Sequence, residues 1–200
     1  MSDPAGLVAV DPAERHRAVA GRFGELIAAT RDWGAVTPVA AWVARDVVGH
    51  LVEWFPAFLA SGGIELPGGP SVSDDPIGAW QAQSGAVQAL LDDPQQGGSP
   101  FTHPYVGTHR LADAIDRFYT ADVFMHTWDL AKATGADAQL DPSYCLGLVE
   151  GMESIDELLR SSGQYGPRFP VTEDADATAR LIAFIGRDPH WRPPGQPDLE

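Results

Sequence analysis

The 200 residues, 44% of them hydrophobic and 20% charged, have the make-up of an ordinary globular chain long enough to bury a real core. A formal net charge of −15 argues against a nucleic-acid binder, whose contact face is basic, and equally against attachment to an anionic membrane surface. No apolar run approaches the ~20 residues of a membrane span. The single cysteine, Cys145, leaves no internal disulfide and suits a reducing compartment. With no basic and apolar leader at the N-terminus, the expected location is the cytoplasm. The chain reads as one domain over residues 1–200, with an ordered core from about residue 10 to 191.

In chain order, Asp11-Pro12 supplies an N-cap and a proline at the first helical position. Val19, Phe23, Leu26 and Ile27 then give a helical face that ends near Arg31. A second helix is expected just after Trp42. Val47, Val48, Leu51, Val52, Phe55, Phe58 and Leu59 form its wide inner stripe, and His50 lies on the edge beside Val47 and Trp54. Pro56 predicts a kink or an early break there. A long Gly-, Pro- and Ser-rich connection precedes a third helix from about Ile77 to Leu91. A second long loop, residues 92–109, contains Phe101 to Val106, a candidate short strand or hairpin arm. Loops of this length inside a domain are often functional.

The helix expected from Thr108 to Thr134, capped by Gly135, carries the unusual pattern. Leu111, Ile115, Phe118, Tyr119, Met125 and Ala133 form an apolar stripe, and Asp122, His126 and Asp129 fall near its centre. Burying a carboxylate costs several kcal/mol unless it is paired or binds a metal. Further on, Asp141-Pro142 opens a helix with apolar positions Leu146, Leu148, Val149, Met152, Ile155, Leu158 and Leu159. An acidic start at Glu173-Asp174 introduces a short helix through Leu181, Ile182, Phe184 and Ile185. Residues 193–200 are expected to be disordered. The class is all-α: a four-helix bundle with extra short helices and a small β-arm.

Asp122 and His126, four apart, can converge on one point, and His50 can reach them from a facing helix. Two imidazoles and a carboxylate suit Zn²⁺, and also Ni²⁺, Fe²⁺ or Mn²⁺. Three protein ligands leave positions open for water or substrate, the catalytic rather than the structural pattern. The spacing is equally compatible with a buried Asp–His hydrogen bond and no metal. Asp129 could accept a hydrogen bond from the far ring nitrogen of either imidazole, or make a helix-end contact to backbone or an arginine. His103 and His109 are either loop-borne ligands or, more simply, surface histidines. They and Trp54 are the candidates for a pocket. His16 and His190 read as exposed or terminal, and Cys145 as a buried, inert thiol.

Trp42-Val43-Ala44-Arg45-Asp46-Val47-Val48-Gly49-His50-Leu51 resembles the W-x-x-x-D-[LV]-[VL]-x-H-L helix of the DinB/mycothiol-dependent maleylpyruvate isomerase superfamily. Asp122 through Ala131, with its acidic residue and His on one helix, is similar to that superfamily's second metal motif. The H-x-W-D-L-A continuation and the ending Gly186-Arg187-Asp188-Pro189-His190-Trp191 resemble a small actinobacterial branch. The likeness runs from about residue 15 to 191. It implies a four-helix bundle holding zinc or nickel on His50, Asp122 and His126. It also implies, as in some relatives, a small-molecule thiol such as mycothiol, activated by the metal as a nucleophile toward a small electrophile. A homodimer is compatible with the resemblance alone. Val43 stands where a capping Ser or Thr is common, a loss of ~1 kcal/mol of helix stability. Asp122 stands where the isomerases proper have Glu, and 200 residues leave no room for their additional C-terminal domain. The resemblance therefore favours metal binding over isomerisation, and a non-catalytic, stress-related binding or interaction bundle remains the alternative to a thiol transferase.

Overall fold

The structure is a computed structural model and describes residues 6–194 apart from 162 and 164. Helix α1 spans Pro12–Ala29, with the Asp11 carboxylate accepting from the Glu14 amide. Val19, Phe23, Leu26 and Ile27 are buried along one side, and Thr30 closes the helix by donating its hydroxyl to the Leu26 carbonyl. Helix α2 spans Ala44–Ser61. Asp46 accepts from the Val43 amide, so the half of the capping box that needs no hydroxyl at Val43 is made. The helix runs through Pro56 without a break. The forfeited hydrogen bond is offset by Val47, Val48, Leu51, Phe55 and Leu59, all fully buried, which a break would expose.

Helix α3 (Pro76–Asp92) is capped by Asp75, and a single turn, α4 (Pro94–Gly97), follows it. Strands β1 (Pro100–His103) and β2 (Gly107–Arg110) pair antiparallel, with Phe101 opposite His109. Because β2 uses residues up to Arg110, the following helix begins at Leu111, three residues later than its sequence pattern suggests. It comprises α5 (Leu111–Ala114), a π-helical stretch over Ile115–Thr120, and α6 (Ala121–Thr134). Gly135, with φ +71°, closes α6 in the left-handed conformation that glycine adopts without strain. The wider π turn places Tyr119 and Thr120, consecutive residues, both in the interior.

Helix α1 packs against α3 and α6, and α2 packs against the same two. Outside this core lie α7 (Pro142–Glu153), α8 (Asp156–Ser161) and α9 (Ala177–Phe184). Helix α7 pairs with α9 and with the 3₁₀ turn Leu7–Ala9. Phe124 meets Tyr144 edge-on, centroids 4.7 Å apart, so α6 is covered on this side too. Hence every residue from Val123 to Ala131 is buried.

Two expectations about the outer helices change. The apolar stripe expected to run through α7 is broken at Ser154, and of its members Leu146 is half-exposed and Leu158 mostly exposed; in α7 only Tyr144 and Cys145 are buried. Helix α9 starts after Asp176, which caps the Ala179 amide, rather than at Glu173-Asp174. Of the tail expected to be disordered, residues 195–200 lie outside the described residues. Among the described residues, no helix is long and apolar enough to cross a membrane.

His16, expected at the surface, is completely buried. Val19, Ala20 and Phe23, three, four and seven residues further on, are buried on the same side of α1, so the ring turns inward with them despite the flanking Arg15 and Arg17. Its Nδ1 lies 3.1 Å from the Thr120 hydroxyl, and its ring stacks on Tyr119. Burial pushes its pKa down from 6.5 to about 4, against the opposing pull of the Ser84 backbone. Between these two values the unfolded chain binds a proton that the folded protein refuses. This contribution to stability is therefore complete above pH 6.5 and is lost as pH falls through 4, roughly 3 kcal/mol in all. Urea unfolding between pH 7 and 4 is expected to show this loss, and His16→Leu to flatten that part of the profile. An unchanged slope in the variant refutes the assignment.

Candidate metal centre

Helix α2 presents His50 and Trp54, one turn apart, toward the segment of α6 that carries Asp122, His126 and Asp129. His50 Nε2 lies 3.1 Å from Asp122 Oδ2, and His126 Nε2 lies 3.6 Å from Asp122 Oδ1. One ligand atom from each of the three residues can be chosen so that all lie within 4.8 Å of one another. Ligand atoms on a tetrahedral ion at ~2.0–2.2 Å are about 3.4 Å apart, so the widest separation allowed here would close by up to ~1.4 Å around an ion, with a fourth position left open. The group could hold a metal ion. Side-chain exposure grades from 32% at His50 through 20% at Asp122 to 6% at His126, so the open approach is on the His50 side.

Behind His126 the arrangement is closed. Its Nδ1 donates to Asp129 Oδ2 at 2.9 Å, and Arg187 Nη2 donates to the same oxygen at 3.3 Å. Asp129 has no exposed surface, so these two partners are what make its burial tolerable. A proton fixed on Nδ1 leaves the Nε2 lone pair directed at Asp122 Oδ1. Nε2 and Oδ1 then face each other across 3.6 Å, as two ligand atoms on one cation would.

Asp122 has its own partners. Burial alone raises the pKa of its carboxyl, yet the charge of His126, the hydrogen bond and charge of His50, and the Trp54 indole together hold it below the ordinary carboxylate value. Trp54 Nε1 donates to Oδ2 at 3.0 Å. The same carboxylate acts on Tyr165. Burial first, and the Asp122 charge second, push its phenol up to about 12, while Arg187 and Arg160 pull the other way.

Two residues absent from the sequence-based site belong to it. Trp42 stacks on His126 at 5.7 Å and 21°, and lies 5.1 Å from the His50 ring, roofing both imidazoles. It is delivered by a tight turn in which Ala41 takes φ +66°, costly for a residue with a side chain. Arg187 follows Gly186, whose φ of +86° ends α9 and whose missing Cβ would otherwise meet the Gly166 backbone at 2.8 Å. The Arg187 amide bonds back to the Ile182 carbonyl, fixing its entry to the site. Periodicity could not reveal either residue, because both sit in loops. The available hint was that both residues fall within the stretches that carry the family resemblance, Trp42 to Leu51 and Gly186 to Trp191.

The remaining candidates separate. Trp54 touches the site directly. His103 is in the hairpin, stacked on Phe58 at 4.4 Å, and reaches Trp54 only through that ring. His109 lies against Phe118 and bonds the Val106 carbonyl, a hairpin contact rather than a pocket one. Neither belongs to the cluster that could hold an ion, because β1 and β2 carry them beyond the end of α2. His190 is exposed. Cys145 is buried, and burial raises its thiol to about 11, which makes it a poor nucleophile.

Fold and cluster together define a mostly helical protein with a half-buried His–Asp–His group able to bind a cation. No family model and no solved structure matches the chain. Two uncharacterised proteins of Mycobacterium tuberculosis, from strains CDC 1551/Oshkosh and ATCC 25618/H37Rv, are each 27% identical to it over 189 residues. The alignments span 89% of this chain and 98% of each relative, so the likeness extends over whole chains.

Asp129→Asn keeps an acceptor for His126 but removes its charge. The expected result is a ~10–100-fold loss of Zn²⁺ affinity by calorimetric titration. Unaltered affinity would mean that Asp129 serves only the Arg187 contact.

Proposed function

We propose that this protein is a DinB-like metal-binding bundle in which His50, Asp122 and His126 hold a divalent cation, Zn²⁺ before Ni²⁺. Its activity is transfer or isomerisation between a small thiol of the mycothiol kind and a small electrophile. The observation that carries the reading is the convergence of two imidazole Nε2 atoms and one carboxylate, with a second carboxylate behind one imidazole fixing its lone pair outward. The ligand chemistry, nitrogen and oxygen donors in a partly dry site, fits Zn²⁺ or Ni²⁺ better than Ca²⁺ or Mg²⁺, which prefer all-oxygen shells. When bound, such an ion supplies Lewis acidity that lowers the pKa of a thiol.

The chain's own residues supply the rest. Asp129 and Arg187 keep the proton of His126 on Nδ1 and the ring in place. Trp42 covers the imidazoles and excludes water from that side. His50, the most exposed of the three, borders the approach for substrate. Cys145, buried and protonated, is not the attacking sulfur, so the thiol must come from outside.

Protein purified without a His tag is expected to carry close to one equivalent of transition metal, and Asp122→Ala to carry almost none. Saturating Zn²⁺ at about 1,000-fold over its Kd would stabilise the wild type by ~4 kcal/mol. Absence of stoichiometric metal, together with melting unaffected by chelation, would instead mark a metal-free bundle whose inward polar groups satisfy one another. Conjugation of mycothiol to a panel of electrophiles tests catalysis. Turnover that survives His50→Ala would rule out this site as its seat, and metal without turnover would leave a binding bundle.

A further inference from the structure

The two oxygens of Asp122 have different surroundings. Oδ1 is turned toward His126 Nε2, while Oδ2 accepts the Trp54 indole N–H at 3.0 Å and lies 3.1 Å from His50 Nε2. An indole N–H can only donate; it neither titrates in the working range nor binds a metal. Trp54 itself is held firmly. Its ring meets Phe55, Phe58 and Tyr119 in edge contacts with centroids 5.3, 5.7 and 6.0 Å away, and Tyr119 is stacked in turn on Phe55 at 4.0 Å. The donor is therefore fixed by the aromatic core between α2 and the π turn, and it aims at one carboxylate oxygen of a proposed ligand.

We infer that Trp54 is a positioning residue that sets how Asp122 binds the ion: its N–H engages Oδ2, so the carboxylate ligates through Oδ1 alone. A one-oxygen carboxylate with two imidazoles occupies three positions and leaves the remainder for a substrate sulfur, whereas a chelating carboxylate would fill one of them. The role of Trp54 is thus to keep the centre open, and it rests on the metal reading above.

The test uses Co²⁺ in place of Zn²⁺, because its visible absorption is intense in a four-coordinate site and weak at higher coordination. Trp54→Phe keeps an aromatic ring beside Phe55, Phe58 and Tyr119 and removes the indole N–H together with its five-membered ring. Wild-type protein loaded with Co²⁺ is expected to show the intense spectrum, and the variant to lose most of that intensity as Oδ2 joins the ion. Identical spectra in the two proteins overturn the inference while leaving the metal site intact. No cobalt spectrum in the wild type overturns the metal reading and this inference with it. A second measurement needs no variant. In Zn²⁺-loaded wild type, the Trp54 Nε1–H proton resonance is expected downfield and slow to exchange with solvent; a free-indole position there also overturns the inference.

Discussion

Two aspartates on the inner side of α6 impose the constraint from which the architecture of this region follows. A buried carboxylate without partners costs several kcal/mol, and breaking a buried charge pair typically costs about 3–5 kcal/mol. The compensation runs as one chain of contacts: Trp54 and His50 to Asp122, Asp122 to His126, His126 to Asp129, Asp129 to Arg187. It joins α2, α6 and the segment following α9. No single helix could satisfy these charges, so the tertiary arrangement and the polar site are one requirement viewed from two sides.

The backbone departs from regular geometry at places that serve this chain. Ala41 adopts a left-handed conformation immediately before Trp42, and Gly186 does so immediately before Arg187. The π turn ends directly before α6, putting Tyr119 beneath Trp54 and the first α6 residue one position ahead of Asp122. Irregular backbone survives where surrounding packing over-determines it, and at the π turn that packing is aromatic, Tyr119 against Trp54 and Phe55. The outer pair α7 and α9 has a corresponding purpose. It closes the far side of α6, without which Phe124 would face solvent and Asp129 would lose Arg187.

The site is also graded. Asp129 is dry, His126 nearly so, and His50 a third exposed. Low-dielectric surroundings strengthen the interactions at the buried end, while the His50 end is the one open to solvent.

Much of this was legible in the chain. The positions of α1, α2 and α3, the Gly135 stop and the misplaced Asp122, His126 and Asp129 follow from local rules: caps, breakers and a 3.6-residue period. Those rules also pointed to His50 as a third donor, because its place on the edge of the α2 stripe is a property of one helix. The structure alone decided what depends on distant segments. It buried His16 under α3 and the π turn, carried His103 and His109 off on a hairpin, and left the face of α7 partly bare. It also brought Trp42 over the two imidazoles and Arg187 to Asp129, from loops that have no periodicity to read. The physical reason is that burial and charge pairing are sums over neighbours remote in sequence, whereas helix formation is settled within a few residues of each position.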